Sequence, residues 1–213
     1  MKHTIKKILE SIFGYELCRY NDLEIEWNKD IPKSFDYKNF QLIRGLATKS
    51  QLSISEAQFL AELVKTSDPS RPIVEIGTLF GWSTLVITLF KPVEQQLITV
   101  DNYSWTPLGM TPEAHYTATR LRLAEAVERF NVRQIKMDKD AFYQQYNGPN
   151  PSLFFCDADH SYEATKADLI WAKQMGADII CGDDYSPEKF PGVVQAVEEM
   201  GGARKVVDEL FLL

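Results

Sequence analysis

The chain has 213 residues, which at about 150 residues per domain predicts one domain with room for a terminal extension. Hydrophobic residues make up 45% and charged residues 25%, ordinary values for a globular chain able to bury a sizeable core. Lys plus Arg number 23 against 30 Asp plus Glu, and the resulting net charge of −7 disfavours nucleic acid, whose binding needs a basic footprint.

Met1 to Phe13 never reaches the unbroken apolar run of a signal peptide. Ile5, Ile8, Leu9, Ile12 and Phe13 recur at helical spacing and predict an amphipathic helix docked on the domain rather than on a membrane. No run of about 18 apolar residues exists, so no transmembrane helix is expected. Cys18, Cys156 and Cys181 are odd in number and far apart, which predicts neither a disulfide framework nor a zinc site. They read as thiols of a soluble cytoplasmic protein, with Cys156 and Cys181 buried in apolar runs.

Residues 1–52 are irregular in pattern and rich in aromatics, and read as an extension that caps or lids the domain. Ser53-Ile54-Ser55-Glu56 is a capping box opening a helix with Phe59, Leu60 and Leu63 on its apolar face, ended by Asp68-Pro69-Ser70-Arg71-Pro72. Strands are then predicted at Ile73–Ile76, Leu97–Asp101, Gln134–Met137, Ser152–Cys156 and Ala177–Cys181. Helices are predicted at Ser83–Phe90, from Thr111-Pro112 to about Phe130, at Tyr162–Met175 and at Gly192–Met200. Val206–Leu213 supplies a closing hairpin. Alternation of this kind predicts an α/β fold, a doubly wound and mostly parallel sheet with helices on both faces.

In such sheets ligands lie beyond the carboxyl ends of the strands. Acids gather there: Glu75, Asp101, Asp138, Asp157, and the pair Asp183-Asp184. The first turn, Glu75-Ile76-Gly77-Thr78-Leu79-Phe80-Gly81-Trp82-Ser83, has glycines four positions apart. That is neither the dinucleotide fingerprint nor a nucleotide P-loop. The anionic Glu75 suits a cationic or hydroxyl-rich ligand better than a pyrophosphate, and Asp101 is placed to accept hydrogen bonds from a ribose diol.

Glu-x-Gly-x-x-x-Gly-x-Ser followed by a strand-terminal acid resembles the first two motifs of class I S-adenosylmethionine-dependent methyltransferases. Phe155-Cys156-Asp157-Ala158-Asp159-His160-Ser161-Tyr162 and Gly182-Asp183-Asp184-Tyr185 are similar to the metal-dependent O-methyltransferases, in their catechol, caffeoyl-coenzyme A and macrocin-like sugar branches. Phe190-Pro191-Gly192-Val193 and Ala196-Val197 fit the sugar branch. The likeness runs from about residue 53 to 200 and implies a Rossmann-like methyltransferase domain over 53–213. It implies that Gly77, Thr78 and Gly81 shape the turn under the methionine part of S-adenosylmethionine, which Glu75 and Ser83 contact. By the same resemblance Asp101 holds the ribose, Asp138 or Asp140 borders the adenine, and Asp157, Asp183 and Asp184 hold a divalent cation such as Mg²⁺.

Physical chemistry supports a cation there, because three converging carboxylates raise one another's pKa unless a hard ion offsets their charge. Such an ion would orient and deprotonate a hydroxyl of a small polyhydroxylated acceptor, such as a sugar, a catechol-like ring or a natural-product intermediate. Asp159 or His160 would take the proton. Tyr103, Trp105 and Met110 are read either as a pocket wall or as a packed loop, and Tyr185 as facing the acceptor. Trp82 reads as packing, and His115 as a surface residue of its helix. Metal-independent N- or O-methyl transfer and a nicotinamide-binding oxidoreductase stand as alternatives, and a homodimer through the extension is left open.

Overall fold

The computed structural model describes residues 52–105 and 110–213. The helix and lid expected within residues 1–52, Cys18 and the centre of the loop after the second strand lie outside the described residues.

Helix α1, Ile54–Thr66, begins on the expected capping box. The Glu56 amide donates to Ser53 Oγ at 3.1 Å, and Glu56 Oε2 accepts from the Ser53 amide at 2.6 Å. Glu56 Oε1 also accepts from the Glu209 amide at 2.8 Å, tying this helix start to the far end of the domain. Strand β1, Ile73–Ile76, helix α2, Trp82–Phe90, and strand β2, Leu97–Asp101, follow within a residue of expectation.

The helix expected from Thr111 to about Phe130 is two helices, α3 at Pro112–Arg122 and α4 at Ala124–Arg129. They part at Leu123, whose ψ of 1° leaves the helical range. The break has a packing cause. The Leu123 side chain is fully buried and fills the space beside Gly81, where an added Cβ would meet it at 2.7 Å.

Strand β3 is Val132–Lys136, beginning two residues before expectation. Helix α5, Lys139–Gln145, has no counterpart in the sequence reading. It is seven residues long and depends on its cap, Asp138 Oδ1, which accepts from the amides of Asp140 and Ala141 at 3.0 and 3.2 Å. Strand β4, Leu153–Cys156, helix α6, Tyr162–Gln174, strand β5, Ile179–Gly182, and helix α7, Pro191–Glu199, complete the alternation. Strands β6, Lys205–Val207, and β7, Leu210–Leu212, form the expected hairpin.

These strands make one seven-stranded sheet in the order β3-β2-β1-β4-β5-β7-β6. The first five pair in parallel, and β7 runs antiparallel to both β5 and β6. Every residue of β1 and β4 is buried because helices cover both faces. On one face Val74, Ile76, Val100, Phe154 and Cys156 meet Phe142 of α5, Trp171 of α6 and Val193 of α7. The alternate residues Ile73, Leu97, Leu153 and Phe155 are buried on the other face, with Glu75 among them. Each full burial of a large side chain contributes roughly 1.5–3 kcal/mol. Strand order reverses between β1 and β4, which places a crevice beyond their carboxyl ends.

Candidate functional site

The turn after β1 is built by close backbone approach. Gly77 has φ +96°, and a Cβ there would lie 1.6 Å from the carbonyl oxygen of Asp157 at the end of β4. Gly81, at φ +79°, is the N-cap of α2 and has no side chain to obstruct the amides behind it. Leu79 lies between the two glycines at φ 46°, a conformation disfavoured for a branched side chain. It is held by Asp101, whose Oδ2 accepts from the Leu79 amide at 2.8 Å and from the Thr78 amide at 3.0 Å. Asp101 Oδ1 accepts from the Tyr103 amide at 2.6 Å, and the Thr119 hydroxyl donates to the Leu79 carbonyl at 2.6 Å. Thr78 itself faces inward, its hydroxyl 2.5 Å from that of Thr99.

Glu75 is completely buried at the base of this turn. The Thr84 hydroxyl donates to its Oε2 at 2.5 Å, while Oε1 has no hydrogen-bond partner. Burial pushes its pKa up to about 7, against the pull of the Ser83, Thr84 and Thr99 hydroxyls nearby. An orphaned, buried carboxylate oxygen beside a bare glycine turn is an acceptor waiting for a donor, and a cationic donor suits it best.

Beyond β4 and β5 the acids meet. His160 Nε2 lies 2.7 Å from Asp184 Oδ2 and 3.7 Å from Asp157 Oδ1. Each of the three residues offers a ligand atom within 4.8 Å of the others. The two carboxylates push the His160 ring up to about 10, while burial and the charge of Asp184 hold Asp157 above its ordinary value. Asp183 falls outside this trio. It is 6% exposed, and burial together with Asp157 and Glu56 pushes its carboxyl up to about 9. Asp184 holds φ +64°, a strained backbone for a non-glycine residue, adjacent to the cluster. No lysine or arginine among the described residues forms an ion pair with Asp157, Asp183 or Asp184. Donors of this kind, carboxylate oxygens with one imidazole nitrogen, fit a divalent cation.

Asp159 is exposed and starts a tight turn. Its Oδ1 accepts from the Ser161 amide at 2.8 Å, which holds its pKa below the usual range. Asp138 is exposed and caps α5, and Asp140 lies in the first turn of that helix. Trp82 is buried as expected. Tyr185 donates its hydroxyl to Glu198 Oε1 of α7 at 2.6 Å. Of the loop residues, Tyr103 is fully buried, with its hydroxyl accepting from Gln134 Nε2, and Trp105 is 61% exposed.

His115 corrects the sequence reading. It is 1% exposed, with ring contacts to Phe80 at 4.7 Å and Tyr103 at 5.1 Å and with Nδ1 3.1 Å from the Trp105 carbonyl. The inward face of α3 is made from His115 and Thr119, one turn apart, and a scan for apolar periodicity passes over such a pair.

A second buried group also escaped sequence reasoning. Asp168 of α6 is fully buried, ion-paired to Lys139, and accepts from the Tyr143 hydroxyl at 2.9 Å and Cys156 Sγ at 3.4 Å. Its signal was a lone acid on the apolar side of an amphipathic helix.

Residues 74–185 match the family described as a methyltransferase domain, and the chain belongs to that family. It is a class I S-adenosylmethionine-dependent methyltransferase, and the oxidoreductase alternative falls with that membership. Among solved structures, it is similar to an O-methyltransferase from Bacillus cereus in complex with SAH, at 20% identity, TM-score 0.59, covering 89% of this chain and 93% of that one. It is also similar to a candidate O-methyltransferase from Klebsiella pneumoniae, at 23% identity, TM-score 0.59 and coverage of 89% and 92%. A third is TomG from Streptomyces achromogenes, an O-methyltransferase of tomaymycin synthesis in complex with SAM, at 16% identity, TM-score 0.54 and coverage of 84% and 82%. At these identities the likeness is one of fold. Comparison with curated protein sequences returns no significant match. No helix among the described residues is long and apolar enough to cross a membrane.

Proposed function

We propose that this protein transfers the methyl group of S-adenosylmethionine to a hydroxyl oxygen of a small polyhydroxylated acceptor, held at a divalent cation between the ends of β4 and β5. The observation that carries the reading is the meeting of Asp157, His160 and Asp184 beside the glycine turn, with Asp183 adjacent and no lysine or arginine among the described residues paired to them.

Glu75 would receive the amino group of the cofactor at its orphaned Oε1, and Gly77 and Gly81 would leave the backbone bare beneath the methionine part, with Ser83 beside it. Asp101 spends three hydrogen bonds on amides, and a carboxylate has about four lone-pair sites, so it retains capacity for a ribose hydroxyl. Asp138 would border the adenine from the start of α5. A cation such as Mg²⁺, when bound, supplies the charge that lowers the pKa of an acceptor hydroxyl. Asp157, Asp183 and Asp184 would hold it, and Asp159 or His160, within one turn of Asp157, would take the hydroxyl proton.

Calorimetric titration of the full chain with S-adenosylmethionine, followed by an acceptor screen for S-adenosylhomocysteine release with and without EDTA, tests this reading. Binding is expected, with release falling about 100-fold on chelation and returning when a divalent cation is added. Absence of cofactor binding overturns it. Full turnover in EDTA and in Asp184→Ala would instead establish metal-free transfer, a reading favoured by the close approach of His160 to Asp184, which makes a base and two acids available without an ion.

A further inference from the structure

We propose that the cavity between the C-terminal ends of α6 and α7 is a binding site for a small amphipathic carboxylate, a short apolar chain or ring ending in one acid group. It is separate from the methyl-transfer site, because it lies at the amino end of β5, the opposite edge of the sheet from the glycine turn and the strand-end acids.

The shape comes from the local sequence. The cavity measures about 360 Å³, within the range of small-molecule sites. Its floor is apolar, made by Ile180 of β5, Met200 at the end of α7 and Leu213 beyond β7. It stays open because the chain leaves α7 through two glycines. Gly201 and Gly202 hold φ +116° and +80°, and a Cβ on Gly201 would meet no atom within 4 Å. One wall is therefore bare backbone, and no side chain fills the space before it.

Charge selects the ligand. Lys173, in the last turn of α6, and Arg204, one residue before β6, both line the cavity. Neither forms an ion pair with an acid among the described residues. Each spends part of its donor set on a carbonyl: Lys173 Nζ donates to the Met200 carbonyl at 2.6 Å, and Arg204 Nε to that of Leu213. Those bonds hold both side chains at the rim and leave the terminal nitrogens of Arg204 and two protons of Lys173 for a ligand. The one acid of the lining, Asp178, is ion-paired to Arg71 and does not offset them.

A cationic ligand is disfavoured, although two helices end here. Helix C-termini attract cations through carbonyls left unpaired. At this edge the chain pairs its own: the Gly176 and Ala177 amides donate to the Lys173 and Ala172 carbonyls, each at 3.0 Å. After α7 the Gly201 amide donates to the Glu198 carbonyl at 3.1 Å and the Gly202 amide to that of Val197 at 3.0 Å. What stays unmet is positive charge above an apolar floor. An inorganic anion would answer the charge and leave the floor wet, and a neutral apolar molecule would do the reverse. A carboxylate on an apolar body answers both, and a guanidinium can receive it through two parallel hydrogen bonds.

The test titrates octanoate into the full chain and follows the ¹³C-methyl signals of Ile180, Met200 and Leu213. Octanamide serves as the uncharged control and inorganic phosphate as the tail-less one. Octanoate is expected to shift these signals saturably with a Kd of about 1 mM. Both controls should bind about 10-fold or more weakly. Lys173→Gln combined with Arg204→Gln alters two exposed positions and should weaken octanoate about 10-fold. The same variant should bind S-adenosylmethionine as wild type does, which shows its fold intact. Absence of saturable shifts at the three methyls overturns the proposal. So does equal affinity for octanoate and either control, or for octanoate in wild type and the double variant.

Discussion

Gly77 and Asp157 approach so closely that a single methyl group at position 77 would overlap the Asp157 carbonyl oxygen, at 1.6 Å. The contact joins the glycine turn after β1 to the acid after β4, across the point where strand order reverses. Gly77→Ala must therefore separate β1 from β4 and force a side chain into φ +96°. A loss of about 3 kcal/mol or more is expected in urea denaturation, with cofactor binding lost too. A variant of wild-type stability would show that the two strand ends are not in contact.

Glu75 makes an opposite demand on stability and binding. Its pKa is about 7 in the folded chain against an ordinary 4.5. Between those values the native state keeps a proton that the unfolded chain has released, so stability falls as pH rises through that window, by at most about 3 kcal/mol. Glu75→Gln should remove this slope and be more stable than wild type at pH 8. The same variant should bind S-adenosylmethionine about 10-fold more weakly and lose the rise in affinity expected between pH 6 and 8. Parallel denaturation and calorimetric series across pH decide it, and parallel slopes in both proteins would refute it.

Asp101 acts first on the backbone. Replacing it with Asn keeps the size but leaves one acceptor oxygen for the amides of Thr78, Leu79 and Tyr103. Asp101→Asn should cost about 2 kcal/mol in stability, and the loosened turn should weaken cofactor binding about 10-fold. Hydrogen exchange would show faster exchange at Thr78 and Leu79; unchanged exchange there would contradict the assignment.

Lys139 and Asp168 form a buried pair whose halves depend on each other. Lys139→Met leaves Asp168, fully buried, with only Tyr143 and Cys156, and should destabilise the fold by about 3–5 kcal/mol. Lys139→Met combined with Asp168→Leu should recover much of that loss. A double-mutant cycle with additive terms would show that the pair contributes no coupling.

Much of the architecture was legible because hydrophobic pattern and turn chemistry are local. The strands from Ile73 and Leu97, the capping box at Ser53 and the closing hairpin stand within a residue or so of expectation. The misses have tertiary causes. The break at Leu123 answers a vacancy beside Gly81, some forty positions away in the chain. Helix α5 is too short to announce itself by periodicity and holds through the Asp138 cap. His115 is buried by Phe80 and Tyr103, neither of them on its own helix.

The amino-acid order by itself determined the alternation of strand and helix, the glycines where the chain turns back, and acids at successive strand ends, because each depends on neighbours a few bonds away. Only the tertiary structure decided what those acids do. Asp101 turns inward to pin a backbone, Asp138 caps a helix, and Asp157, His160 and Asp184 converge while Asp183 stays buried beside them. The physical reason is reach. A carboxylate takes its role from whatever donor or charge lies within a few ångströms, and here the partners come from strands and loops distant in sequence. The net charge of −7 is a sum over the whole chain; the fold gathers part of it at the carboxyl edge of the sheet.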